Sequence, residues 1–166
     1  MPKASKASLR LSLAVQYATQ DQHLPSRDQL RRWIYAALER DATITLRIVS
    51  AKEGRALNFD YRNKDHATNV LTFVYNGTAD GQLSGDIVLC APVIAREARQ
   101  QRKELQHHYA HMVTHATLHL QGYDHEIDND ALLMEEREVA VLARMKIANP
   151  YDAGSELLVD PANKSE

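Results

Sequence analysis

TNVLTFVYNGTADGQLSGDIVLC, residues 68–90, is the stretch that decides the fold. Residues 68–75 are rich in β-branched and aromatic side chains and read as a strand. LSGDIVLC (83–90) reads as a second. NGTADG (76–81) between them is dense in turn formers. Strands this close in sequence form a hairpin, so the sheet is expected to be mixed. Upstream, Leu9, Leu11, Leu13, Val15 and Tyr17 fall on alternate positions, the pattern of a half-buried strand. ITLRIVS (44–50) alternates in the same way. Between these two, Ser26 is a good N-cap, and Asp28 suits a first helical turn. Leu30, Trp33, Ile34, Ala37 and Leu38 then make one buried helical stripe. AKEGRALNFDYR (51–62) is mixed, with room for a short helix.

Downstream, residues 91–120 read as helical, with a break expected near 103–106. A last helix is expected over 129–147, with Leu132, Leu133, Val139, Leu142 and Met145 facing inward. It stops before Asn149-Pro150. The order β-α-β-(α)-β-β-α-α-α gives the class α+β. We expect a single domain, a mixed four-stranded sheet packed with about five helices. The domain is expected to span residues 8–150, with 1–7 and 151–166 as tails.

The chain has 166 residues, 44% hydrophobic and 25% charged, enough for one domain with a real core. Its formal net charge is -2, so a nucleic-acid partner would have to be held by a local basic patch. Cys90 is the one cysteine. It excludes an internal disulfide and reads as a small buried residue after Ile87-Val88-Leu89. Arg10 and Ser12 interrupt the N-terminal apolar run, so no signal peptide is expected. No stretch approaches the ~20 apolar residues of a membrane span. A cytoplasmic location with no membrane partner is the expectation.

The chemistry concentrates in HATLHLQGYDH, residues 115–125. Eight histidines are present, and five lie between 107 and 119. His107, His111, His115 and His119 recur at i+4 and line one helical face. Two ligands one turn apart can share an ion at about 2.0–2.1 Å from each nitrogen. Residues eight apart are separated by about 12 Å along the axis, too far for three successive rungs to share it. The third ligand must come from chain that has left the helix. Gly122 supplies that departure and can return His125. The expected metal triad is His115, His119 and His125. His111 becomes a supporting or substrate-facing group. Asp124 could orient an imidazole, or cap the next segment. Three nitrogens with no fourth protein ligand suit a catalytic zinc site with an open position.

Metzincin-type zinc peptidases share this histidine spacing but place a glutamate directly after the first ligand. Here that position is Ala116. Without that base, peptide hydrolysis is disfavoured. A phosphodiester needs cations near its phosphoryl oxygens more than a strong protein base, and RNA brings its own 2′-hydroxyl nucleophile. Arg62 could grip a phosphate bidentately, with Lys64 beside it. Arg96, Arg99 and Lys103 lie at i, i+3 and i+7 and could continue a basic track. A solvated face would explain them equally.

With these residues in place, the chain resembles the bacterial YbeY endoribonucleases. YRNKDHATNVLTF, SGDIVLC and LHLQGYDH occur in that family's order and spacing, over roughly residues 8–148. The resemblance implies a zincin-like α+β fold and a metal-dependent endoribonuclease acting on single-stranded RNA. It implies a role in small-subunit rRNA 3′-end maturation and ribosome quality control, with the small ribosomal subunit and assembly factors as partners. It implies that His115, His119 and His125 bind one Zn2+ and that Arg62 is required for activity, His115 and Arg62 being the catalytic pair. His111 matches a further family histidine, and Lys64, Arg96 and Arg99 stand as RNA-binding candidates. Two departures are visible. Ala116 replaces a usual glycine, adding a methyl at the expected cleft floor. Thr72-Phe73-Val74 replaces a frequent Ser-Phe-Pro and loses a fixed φ. The competing readings are a zinc hydrolase of another class, peptidase or amidase, and a non-catalytic assembly factor with a structural metal.

Overall fold

The computed structural model describes residues 9–75, 82–123 and 128–151. Among these residues four strands form one sheet: β1 (Leu11–Ala18), β2 (Ala42–Val49), β3 (Val70–Val74) and β4 (Leu83–Cys90), in the order β1-β2-β4-β3. β1 and β4 both run parallel to β2, while β3 runs antiparallel to β4 with Val70 opposite Leu89. The hairpin expectation therefore holds, the sheet is mixed, and β3 is an edge strand. The NGTADG loop lies outside the described residues.

Among the described residues five helices accompany the sheet: α1 (Arg27–Ala37), α2 (Ala51–Arg62), α3 (Ala91–Gln100), α4 (Leu105–Leu120) and α5 (Asp128–Arg144). α1 starts where the N-cap chemistry places it. The Ser26 hydroxyl accepts from the Gln29 amide at 3.1 Å, and the Gln29 side chain accepts from the Ser26 amide at 2.9 Å. Its expected stripe is its buried face. The segment 51–62 is a full twelve-residue helix, capped by Ser50 and ended by Asn63 in the left-handed region. The long downstream helix breaks after Gln100, where Arg102 takes a φ of 54°. Lys103 therefore lies beyond α3, and the expected track through Arg96, Arg99 and Lys103 does not run along one helix.

Strand alternation separates the two sheet faces. Ile44, Leu46, Ile48, Ile87 and Leu89 meet Leu30, Ile34, Tyr109, Val113, Ala116 and Leu120 in the main core. That face carries α1 and α4, with α5 packed outside α4. Val49, Leu71, Val88 and Cys90 point the other way, into a smaller cluster with Leu57 of α2 at its edge. α2 and α4 thus cover opposite faces. Truncating a wholly buried residue such as Ile34 to alanine would cost about 2–5 kcal/mol.

Gly85 lets α4 lie this close. A Cβ there would sit 2.7 Å from the Phe73 carbonyl and 2.9 Å from Leu120 Cδ2. Ala116 is also wholly buried in the main core, so its methyl packs against the sheet side and does not floor a cleft. The α5 expectation needs correction. Leu132 and Leu133 are 58% and 51% exposed. The inward stripe is Met134, Glu138, Val141 and Leu142, an apolar line with a carboxylate in its middle. Among the described residues, no helix is long and apolar enough to cross a membrane.

Candidate metal centre

α4 is enclosed by the sheet, α1, α3 and α5. Eleven of its sixteen residues are buried, and its histidine stripe therefore meets protein, not solvent, along much of its length. The four rungs fare differently. His107, at the open end, pairs with Glu104 at 3.1 Å. His111 is 7% exposed, and its Nε2 lies 2.9 Å from Glu138 Oε1. His115 Nδ1 lies 2.5 Å from Glu138 Oε2. His119 Nδ1 lies 3.0 Å from the Tyr123 carbonyl. The His115 and His119 rings are nearly parallel, 5° apart, with centroids separated by 6.5 Å.

These contacts set the proton positions. An ionised carboxylate and a backbone carbonyl only accept. His115 and His119 must then each carry their hydrogen on Nδ1, where it is donated. Nε2 is left as the lone-pair nitrogen of both rings. A metal-binding histidine has this arrangement, with one nitrogen tied by a carboxylate or carbonyl and the other presented to the ion. The two helical members of the triad therefore fit a metal by their donor chemistry. His125 and Asp124 lie outside the described residues. Among the described residues, no group of three His, Cys, Asp or Glu side chains is placed to hold an ion.

Gly122 makes the turn after His119. It has a φ of +104°, its amide donates to the His119 carbonyl at 3.0 Å, and the Tyr123 amide donates to Leu118 at 3.2 Å. This helix ending favours glycine, and nothing lies within 4 Å of a Cβ built there, so backbone conformation alone demands it. The same turn carries the Tyr123 carbonyl to His119.

Glu138 was not picked out from the sequence, yet it ties the site together. It is wholly buried, and it accepts from His111, from His115 and from the Tyr151 hydroxyl at 2.6 Å. Burial alone would raise its pKa, but the hydrogen bonds from His111 and His115 outweigh that and hold the carboxyl well below its usual range. Burial lowers the pKa of His111, so it stays neutral beside this anion. Burial, followed by the Glu138 charge, pushes the Tyr151 phenol up. Tyr151 also sets its ring edge-on to His111, 5.4 Å between centroids, although it begins the expected tail. The available signal for Glu138 was an acidic residue four after Met134 and three before Val141, on the face that must be buried.

His108, between the rungs, points elsewhere. Its Nε2 meets Glu97 Oε1 at 2.9 Å, and Asn69 at the start of β3 donates to the same carboxylate. That network fixes α3, α4 and the edge strand relative to one another.

The structure does not bring Arg62 into the histidine cluster. It is the last residue of α2, on the opposite sheet face, exposed and without an ion pair among the described residues. Tyr61 packs edge-on to Phe73 of β3, with centroids 5.0 Å apart, which holds this end of α2 against the edge strand. α4 packs on β3 from the other side. Arg62 and the histidines thus flank one strand. Lys64, Arg96 and Arg99 are exposed.

Comparison with known proteins adds an independent line. The family described as Endoribonuclease YbeY matches residues 15–146. The protein named Endoribonuclease YbeY of Thiobacillus denitrificans is 59% identical, covering 85% of this chain and 96% of that one. Its namesakes from Nitrosospira multiformis and Nitrosomonas eutropha are each 52% identical. They cover 93% and 84% of this chain, and 88% and 97% of their own. The solution structure of TM1509 from Thermotoga maritima shares the fold, with a TM-score of 0.51 and 21% identity over 85% of this chain and 96% of that one.

Proposed function

This chain belongs to the YbeY endoribonuclease family, and from that premise we propose how its residues cleave RNA. It is an endoribonuclease; its substrate on this reading is single-stranded RNA, in ribosomal RNA maturation. The observation that carries the site assignment is the paired tethering of His115 and His119 through Nδ1, to Glu138 and to Tyr123. His115, His119 and His125 hold one divalent ion, with zinc the best match to three imidazoles. When bound, such an ion supplies Lewis-acid stabilisation of charge on phosphoryl oxygens.

The chain's own residues do the rest. Glu138 locks the His115 tautomer and compensates the positive charge brought to the site. Arg62, an exposed fork of donors at the edge of β3, grips a flanking phosphate and fixes the strand's register. Lys64, Arg96 and Arg99 add exposed positive charge for the RNA backbone. The carboxylate nearest the ligands is buried and already accepts three hydrogen bonds, and Ala116 faces the core. Among the described residues, no side chain there matches the glutamate base of a peptidase, and this supports a phosphodiester over a peptide.

The test is cleavage of single-stranded rRNA fragments by purified protein, with and without chelator, beside His119→Ala and Arg62→Ala. Both substitutions and the chelator should abolish or strongly reduce cleavage. Undiminished cleavage in all of them would refute the assignment.

A further inference from the structure

A cleft lined by cationic side chains lies at the other end of α4. It has a volume of about 480 Å³ and lies between α1, the start of α4 and the end of α5. Arg32, Arg144 and Lys146 line it, with His107 and Gln106 at the α4 side and buried Trp33 behind. Among the described residues no aspartate or glutamate lines it, and Glu104 on the α4 side pairs with His107 at 3.1 Å. Arg32, Arg144 and Lys146 make no ion pair or side-chain hydrogen bond among the described residues. Along the helix axis, the cleft at His107 is about 18 Å from His119, so it is distinct from the metal centre.

The way α5 ends is the second observation. The Lys146 amide donates to Ala143 and the Ile147 amide to Leu142, both across the helix terminus. α4 ends with the same pair of bonds, and there the left-handed position is Gly122. At the end of α5 that position is Lys146, with a φ of 62°. Glycine would adopt this conformation without steric penalty. A strained lysine stands there instead, and its side chain lines the cleft.

We propose that this cleft binds the phosphate backbone of the RNA substrate at a point remote from the scissile bond. The proposal rests on the ribonuclease reading. A chain with a net charge of -2 does not attract RNA as a whole, so it must do so through local clusters of uncompensated cations. Two guanidiniums and an ammonium with no carboxylate among them are such a cluster. Arg32 and Arg144 can each meet a phosphate bidentately.

The probe is a labelled single-stranded oligoribonucleotide carrying 2′-O-methyl groups, which keep every phosphate and remove the attacking hydroxyl. It is titrated into the full chain across a salt series, for wild type, Lys146→Gly and the Arg144→Gln, Lys146→Gly double variant. We expect affinity to fall progressively in the two variants. The plot of log affinity against log salt should become shallower by about 1.4 in the double variant. For cleavable RNA, KM should rise while kcat holds. The melting temperature of Lys146→Gly should be unchanged or higher, because glycine relieves the φ, so weaker binding there cannot be a folding defect. Equal affinity and equal salt slope in all three proteins would overturn the proposal and leave the metal-centre assignment standing. Failure of the wild type to bind the oligonucleotide at all would overturn the proposal and the ribonuclease reading it rests on. Unchanged RNA binding with lost binding of poly-glutamate would assign the cleft to an acidic protein instead.

Discussion

Replacing Glu138 by glutamine changes one atom in a site where three donors converge. The carboxylate accepts from His111 and Tyr151 on Oε1 and from His115 on Oε2. Glutamine retains one accepting oxygen. Keeping it on the Oε1 side preserves two of the bonds and turns an NH2 toward His115 Nδ1. Two N–H groups then face each other. His115 relieves this only by moving its proton to Nε2, the nitrogen a metal needs. The variant therefore loses one charge-assisted hydrogen bond, worth about 1.5–3 kcal/mol. That corresponds to a ~10- to 100-fold loss of zinc affinity, the usual scale for removing a partner that orients a metal ligand. Stability without metal should change less, because a wholly buried charge is removed along with its bonds. Competition with a chromophoric chelator measures the first quantity, and thermal unfolding with and without zinc measures both. A Glu138→Gln protein that folds and binds zinc as tightly as wild type would refute the tautomer reasoning.

Other expectations follow from packing and charge. Gly85→Ala must displace either the Phe73 carbonyl or Leu120, and should cost about 1–3 kcal/mol, read as a lower melting temperature. Gly122→Ala meets no neighbour but is forced into a φ of +104°, so about 1–2 kcal/mol of strain should appear in denaturant unfolding. Glu97 has its carboxyl held below the usual range. Burial opposes this, but hydrogen bonds from His108 and Asn69 prevail. A depressed carboxylate contributes stability that is fully present above its unfolded pKa of about 4.3 and is lost as pH falls through the lower folded value. Glu97→Gln should flatten that acidic limb of a stability–pH curve, and an unchanged limb would show that the pair contributes nothing there.

Much of this protein is written locally. The hairpin of β3 and β4, the Ser26 cap, the alternation of β1 and β2 and the i+4 histidine ladder each depend on residues within a few positions of one another. Periodicity and turn chemistry are local properties, and they appear in the structure near their expected boundaries. The same locality singled out His115, His119 and Gly122, because a helix turn brings the first two together and a left-handed φ requires the third. Residues 51–62 were harder, since a mixed pattern with two capping residues commits to a helix only when the sheet face beneath it is present.

What the tertiary structure alone decided is which partner each polar group meets. Glu138 lies 23 residues beyond His115 on another helix, and no local pattern pairs them. Leu132 and Leu133 look like core residues by composition, yet α5 turns Met134 and Glu138 inward because α4 presents histidines needing an acceptor. Arg62 and the ladder are close to the same edge strand only because α2 and α4 cover opposite faces of one sheet. Hydrogen-bond satisfaction and burial are properties of the packed chain, so the histidine ladder could be read from sequence while the groups that orient its rings could not.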